Sequence, residues 1–413
     1  MKFSFLGAGG EVGRSAFLVE DEKRLLLEYG IKLHQRTQYP MPFQGFVDYV
    51  IVSHAHLDHS GFVPAVYEYC SPPCIATYPT QALSTLLVKD SMKVQRLKRE
   101  KVNFSSTSFR KMISSFIPLP YGQEFSLSET MSLKFTDAGH IPGSAISTIQ
   151  TGNGKIVYTG DFKLGETWLH HGGECVDRCK VLLTESTYSD REHPDRKKLE
   201  EELYSEISAV LERGGNALLP CFAVGRSQEV VQLLRYFDDD AKIFYDGMAK
   251  TASQIILDYP SYIKNAKYLN DCLKTVEWVN SHSQRKKALS KPSIIISPAG
   301  MLDGGPSLRY ALGLNEESEI ILTGFQVPGT NGRMLLDSHK IRVNGIVHEL
   351  KVPVKYFDLS AHASRADLFK FVENASPEKI FCVHGETCQS FAEELRSKGY
   401  DAVAPKNGES FVV

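Results

Sequence analysis

The sequence predicts an α/β protein built in two parts. Its first sixty or so residues break into short apolar strands separated by glycine turns, which is a β-rich texture. From about Asp190 strand, turn and helix alternate, the pattern of a parallel sheet with helices on its faces. At 413 residues the chain exceeds the usual size of one hydrophobic core, so two domains, or one domain carrying a large insertion, are expected.

The opening strands are "KFSFLGAG", "SAFLVED", "KRLLLEYG" and "VDYVIVSH". The run Gly7-Ala8-Gly9-Gly10-Glu11-Val12-Gly13 has the look of a dinucleotide loop, but "SAFLVEDEKRLLLEY" after it reads as a hairpin, not the required helix, so that cofactor is excluded. Beyond His59, "PAVYEYC" and "PTQALSTLLVKDSMKVQRLKREK" have helical spacing, and "MSLKFTDAGHIPGSAISTIQTGNGKIVYTGDFK" returns to strands with polar groups clustered at their ends. The second part opens with an amphipathic helix, "KKLEEELYSEISAVLERGG", followed by "NALLPCFAVG" and "RSQEVVQLLRYF" as strand, turn and helix. "KIFYDGM", "SIIISPAGM" and "EIILTGFQV" continue as strands, and "RADLFKFVENA" and "KIFCVHGE" near the end read as helix and strand.

Composition narrows the class. Hydrophobic residues make up 42% and charged residues 23%, and no apolar run approaches the length of a membrane span, so a soluble protein with no membrane partner is expected. Glycines interrupt the N-terminus where a secretory signal needs an apolar segment, which implies a cytoplasmic location. Eight cysteines are too sparse for a disulfide scaffold; Cys70 with Cys74 and Cys175 with Cys179 form C-x3-C pairs, read first as unrelated thiols, with a zinc clasp or disulfides as alternatives. A net charge of -2 denies the chain a global basic field, so any nucleic-acid contact must use local patches. Two basic runs qualify, Lys93 to Lys101 and Ser283 to Lys291, although such runs are commonly solvated helix faces.

The stretch "SHAHLDHSG" concentrates the chemistry. It places His54, His56, Asp58 and His59 just past a buried strand, and such crowding of imidazoles and a carboxylate calls for a cation. His140 in "DAGHIPGS" and Asp161 in "VYTGDF" stand at the ends of two later strands. Zinc usually takes three protein ligands at a catalytic site, so six candidates fit two metals better than one, with a shared carboxylate, Asp161, as the natural bridge.

These residues resemble the metallo-β-lactamase superfamily, whose H-x-H-x-D-H signature stands here as His54, His56, Asp58 and His59, with later motifs at His140 and Asp161. The resemblance implies a four-layer αββα sandwich with metals at one edge of its sheets. One position departs from the pattern: Glu28 in "LLLEYG" stands where relatives usually carry Asp, and is expected to support a zinc ligand from behind with a longer arm, or to displace a water. The rest of the chain is similar to the β-CASP nucleases, in which a second α/β domain is inserted into the hydrolase. "LLTESTY" with Glu185, "LSAHAS" with His362 and "CVHGE" with His384 match their motifs, as do "CFAVGRSQEVVQLL", "ISPAGMLDGGPS" and "TGFQVPGTNGR" in the insertion. Each of Glu185, His362 and His384 has an ordinary structural reading when taken alone; together with a metal edge they are more economically read as one site.

The resemblance implies domain boundaries at 1–189 and 346–413 for the hydrolase and 190–345 for the insertion, and similarity to archaeal or bacterial cleavage-and-polyadenylation-factor-like or RNase J-like nucleases without KH domains. It implies two Zn2+ per chain, with His54, His56 and His140 on one, Asp58, His59 and His384 on the other, and Asp161 between. Asp58 would orient the attacking water, and His362, held by Glu185, would protonate the leaving 3′ oxygen. The substrate would be single-stranded RNA, cut to 5′-phosphate and 3′-hydroxyl products within a cleft between the lobes, with Arg226, Gly300, Gly332 and Ser360 as substrate contacts. His384 points to the RNA-acting branch. Cleavage inside the chain or from the 5′ end, homodimer formation and RNA-processing partners stay open. Two other readings are weighed: a glyoxalase-like ester or thioester hydrolase, which needs neither the insertion nor His362, and an inactive scaffold subunit of an RNA-processing complex, which needs no intact ligand set.

Overall fold

A computed structural model describes residues 1–33 and 36–413. Two compact units divide the chain: Met1–Glu166, His170–Glu192 and Ala361–Val413 in the first, Thr167–Leu169 and His193–Ser360 in the second.

The first unit holds two seven-stranded sheets. Period-two alternation explains how they stack, because neighbouring side chains on a strand face opposite ways. Leu25 and Leu27 of strand Arg24–Leu27 enter the core between the sheets, whereas Leu26 joins the cluster beneath helix Tyr78–Leu97. In the other sheet Val181 and Leu183 face the same inner core, and Leu182 faces the cluster under helices Arg365–Ala375 and Cys388–Ser397. Helix, sheet, sheet and helix therefore form the four-layer sandwich. Phe3, Phe5, Phe17 and Phe381 fill its centre, with ring centroids 4.9–5.8 Å apart among the contacting pairs.

After the glycine-rich loop the chain forms the antiparallel strands Ala16–Glu20 and Arg24–Leu27, as a hairpin reading requires. All eight cysteines are free thiols, so neither C-x3-C pair is a disulfide. Among the described residues no helix is long and apolar enough to cross a membrane.

The second unit carries a six-stranded sheet paired in parallel throughout, centred on Asn216–Pro220 and Ser293–Ser297. Those central strands are buried on both faces and read as continuous apolar runs. Its edge strand, Val354–Tyr356, pairs with Glu319–Leu322, and the chain enters the first unit again at Ala361. Residues 340–349 form a small separate hairpin.

Candidate metal centre

Parallel pairing brings several strand ends to one edge of the first unit. Arg24–Leu27, Tyr49–Ile51, Gly154–Tyr158, Val181–Glu185 and Lys379–Val383 all run the same way within their sheets, and their following residues are Glu28, Ser53 with His54, Asp161, Ser186 and His384. His140 arrives from the loop after strand Ser132–Asp137.

Three donor groups result. His54, His56, His140 and Asp161 form one, Asp58, His59 and His384 a second, and Asp161, Glu185 and His362 a third that shares Asp161, with the ligand atoms inside each group within 4.8 Å of one another. Nδ1 of His56 lies 3.2 Å from Nε2 of His54 and 3.1 Å from Nε2 of His140. The carboxylate of Asp161 stands between the first two groups: Oδ2 is 3.6 Å from Nε2 of His54, 3.8 Å from that of His140 and 3.4 Å from that of His59, while Oδ1 is 3.6 Å from Nε2 of His384. Oδ2 of Asp58 is 3.9 Å from His59 and 3.7 Å from His384. A tetrahedral zinc with bonds of about 2.0–2.1 Å separates its ligands by about 3.3–3.4 Å, close to these edges.

The donors fit a divalent cation on electrostatic grounds as well. Burial holds His54, His56 and His140 low, His56 to about 4, so their rings are neutral and offer lone pairs. Burial alone would raise Asp161, but His384, His59 and His362 overrule it and keep the carboxyl well below its usual range. Burial likewise opposes charge on His59, yet Asp161, Asp58 and Glu28 push it up to about 10. Both ring nitrogens of His59, Oδ1 of Asp161 and Nε2 of His384 are buried without a well-aligned hydrogen-bond partner among the described residues. Such atoms are costly unless a ligand engages them.

Three family models match the chain: a metallo-β-lactamase superfamily domain over residues 17–187, a β-CASP domain over 227–335 and a Zn-dependent metallo-hydrolase RNA specificity domain over 347–405. A protein named probable RNase MJ4, from Methanocaldococcus jannaschii, is 36% identical over 99% of both chains. The chain belongs to the β-CASP family of metallo-hydrolases. An RNase of Saccharolobus solfataricus named aCSPSF2 is 33% identical over 98% of this chain and 84% of its own, and the transcription termination factor FttA of M. jannaschii is 33% identical over 96% and 69%. A solved structure of an Enterococcus faecalis protein of unknown function covers 100% of this chain and 99% of its own at TM-score 0.62 and 16% identity, a likeness of fold.

In this β-CASP chain several outer contacts of the donors come from residues with no chemical signature of their own. Nδ1–H of His140 donates to the carbonyl of Ala361 at 2.9 Å, which leaves Nε2 as the lone-pair nitrogen. Nδ1 of His384 meets Oγ of Ser15 at 2.8 Å, and its backbone amide donates to the carbonyl of Ala8 at 2.9 Å. The glycine-rich loop rejected as a nucleotide cradle thus braces His384. Asn407 and Glu11 tie that loop down, through Gly9 N–H to Asn407 at 2.8 Å and Asn407 to Glu11 at 2.9 Å. Ala8, Arg14, Glu28 and His384 all hold left-handed backbone, with φ of 58°, 45°, 60° and 50°. Non-glycine residues in that region concentrate where surrounding structure over-determines them.

Glu28 lies behind His59. Its Oε1 accepts the Ser53 amide at 2.7 Å and Oε2 stands 3.7 Å from Nδ1 of His59, while burial pushes its carboxyl up to about 7. His362 sits on the other flank, its side chain 21% exposed, with Nδ1 3.0 Å from Oε2 of Glu185 and 3.9 Å from Oδ2 of Asp161. Burial resists its protonation, but Glu185 and Asp161 raise it to about 9.

The second unit holds the other sequence candidates. Arg226 is buried and its guanidinium is ion-paired with Glu229, which also binds Arg196 at 2.6 Å. A Cβ on Gly300 would lie 3.1 Å from the amide nitrogen of Phe222, and one on Gly332 would strike Gln326, so both glycines answer a packing need. Ser360 is buried at the end of this unit.

Proposed function

We propose that this β-CASP hydrolase is a two-zinc ribonuclease acting on single-stranded RNA and leaving 5′-phosphate and 3′-hydroxyl ends. The observation that carries the reading is the position of the Asp161 carboxylate between two donor groups, 3.6 Å from His54 on one side and 3.4 and 3.6 Å from His59 and His384 on the other. The names of the full-length relatives, an RNase and a probable RNase, support RNA as the substrate.

His54, His56 and His140 would hold one zinc, Asp58, His59 and His384 the second, and Asp161 both. The chemistry supplied there by a bound pair is Lewis acidity: a water acidic enough to attack near neutral pH, and neutralisation of charge growing on phosphorus. Asp58, half-exposed at the edge, accepts a hydrogen bond from the attacking water and aims it. Glu185 fixes His362 through Nδ1, so Nε2 carries the proton that the departing 3′ oxygen needs. The 2′-hydroxyl takes no part, and preference for RNA arises in binding.

The test uses RNA labelled at either end and carrying a 5′-hydroxyl, monophosphate or triphosphate. Internal products bearing 5′-phosphate support the reading, and a ladder growing from one 5′ end adds exonuclease activity. A protein loaded with two zincs that leaves every RNA intact would overturn it.

A further inference from the structure

Of the two basic runs in the sequence, one is partly paired by the fold. Arg285 is bonded to the buried carboxylate of Asp246 at 2.7 and 3.0 Å, and Lys287 lies 3.2 Å from Glu277. The other is left open. Residues 89–111 carry eight lysines and arginines against only Asp90 and Glu100, in a chain of net charge -2. Lys89, Lys93, Arg96, Lys98, Arg99, Lys101, Arg110 and Lys111 are all exposed, and none forms an ion pair among the described residues. Glu100 is engaged by the Thr37 hydroxyl at 2.9 Å.

Helical spacing arranges the first of them. Leu83, Leu87, Val88 and Met92 of helix Tyr78–Leu97 face the core, so Lys89, Lys93 and Arg96 fall on the solvent side. Arg96 reaches Ser106 at 3.2 Å and joins this stripe to helix Ser106–Ser114, which bears Arg110 and Lys111. Leu97, 74% exposed, stands within the patch. The opposite end of the long helix is anchored at the metal edge, where Thr77 and Thr80 hydroxyls donate to the Gly143 carbonyl at 2.7 and 2.9 Å, in the loop that carries His140. Twenty residues at 1.5 Å each put the basic end ~30 Å from that loop.

We infer that this basic track binds the sugar-phosphate backbone of single-stranded RNA at a distance from the metals, holding the flank of a long substrate whose scissile bond lies at the edge. The inference rests on the ribonuclease reading. It predicts that affinity for long RNA exceeds that for short RNA through charge, without a change in cleavage chemistry.

The test is Lys93→Glu/Arg96→Glu/Arg99→Glu, with the Gln triple variant as a charge-neutral control and thermal melts to verify folding. Binding is read by anisotropy on a long phosphorothioate oligouridylate over a salt series, and cleavage on an oligouridylate too short to span ~30 Å. The Glu variant should bind the long RNA about tenfold more weakly, with a salt slope smaller by about 2, since each lost phosphate contact removes about 0.7. kcat/KM on the short RNA should not change. Unaltered affinity and slope would overturn the track, as would loss of binding to phosphatidylserine vesicles with RNA binding intact. If the wild-type protein cuts no RNA while the slope difference persists, the ribonuclease reading fails and the track stands; cleavage with no slope difference gives the converse.

Discussion

Nδ1 of His362 stands 3.0 Å from Oε2 of Glu185, and the other oxygen of that carboxylate accepts the amide of Phe162, the residue after Asp161, at 2.8 Å. The orientation of His362 is thereby tied to the backbone that presents Asp161. His384 has a different surrounding: Ser15 behind its ring, Asp58 and Asp161 in front. Two histidines at the same edge thus have different neighbours, a carboxylate behind His362 and a hydroxyl behind His384.

That contrast gives the first prediction. His384→Ala should lower occupancy of one zinc and lose activity, with partial recovery at high zinc. His362→Ala should keep both metals and bind RNA, while single-turnover cleavage falls by about 10²–10⁴-fold and added zinc restores nothing. Metal analysis with single-turnover kinetics on both variants decides; zinc lost from the His362 variant and kept by the His384 variant would reverse the assignment.

Two zinc ions per chain are expected in the purified protein, and exhaustive chelation should abolish cleavage until zinc is restored. Elemental analysis alongside the assay checks both halves. Full activity in a metal-free sample would refute the mechanism.

Single-stranded RNA should be cut far faster than DNA of the same sequence. Competition between the two in one reaction reads the ratio of kcat/KM directly. Equal rates would remove the substrate assignment and leave the metal chemistry untouched.

Ser15→Ala should weaken zinc binding by about 10–100-fold, because the Ser15 hydroxyl orients the His384 ring. The change should appear in zinc titration of the protein, and a Ser15→Thr variant that keeps the hydroxyl should restore much of it. A normal zinc isotherm for Ser15→Ala would show that the hydroxyl is idle.

Gly30→Ala should destabilise the first unit by about 1–3 kcal/mol, since its Cβ would fall 1.8 Å from the carbonyl oxygen of Asp58 and the chain must shift to admit it. Thermal unfolding measures the cost. An unchanged melting temperature would mean that the Asp58 loop yields freely.

The strands "RLLL" and "VLLTE" are legible as buried because they are continuously apolar, whereas the four-layer sandwich is implied only by the resemblance that the histidine and aspartate motifs carry, and the sorting of alternate residues into two cores is seen in the structure. The inserted unit is legible because central parallel strands are apolar on both faces. The late edge strand Val354–Tyr356 is not, since three residues display no period. At the site, imidazole and carboxylate are rare enough in a cluster to announce themselves, whereas Ser15, Ala8 and Ala361 are common residues whose partners lie far away in the chain, 369 positions for Ser15 and His384.

By itself, then, the sequence determined the chemical inventory: which side chains can hold a cation, which strands are buried, and where charge accumulates. Periodicity and residue type are local properties, and each of these follows from them. Only the tertiary structure decided that the carboxylate of Asp161 stands between two donor groups, that the glycine-rich loop braces His384, and that one basic run is partly paired while the other faces water. Those outcomes depend on which strand ends lie side by side, and strand order is set by packing across hundreds of residues, beyond the reach of any local pattern.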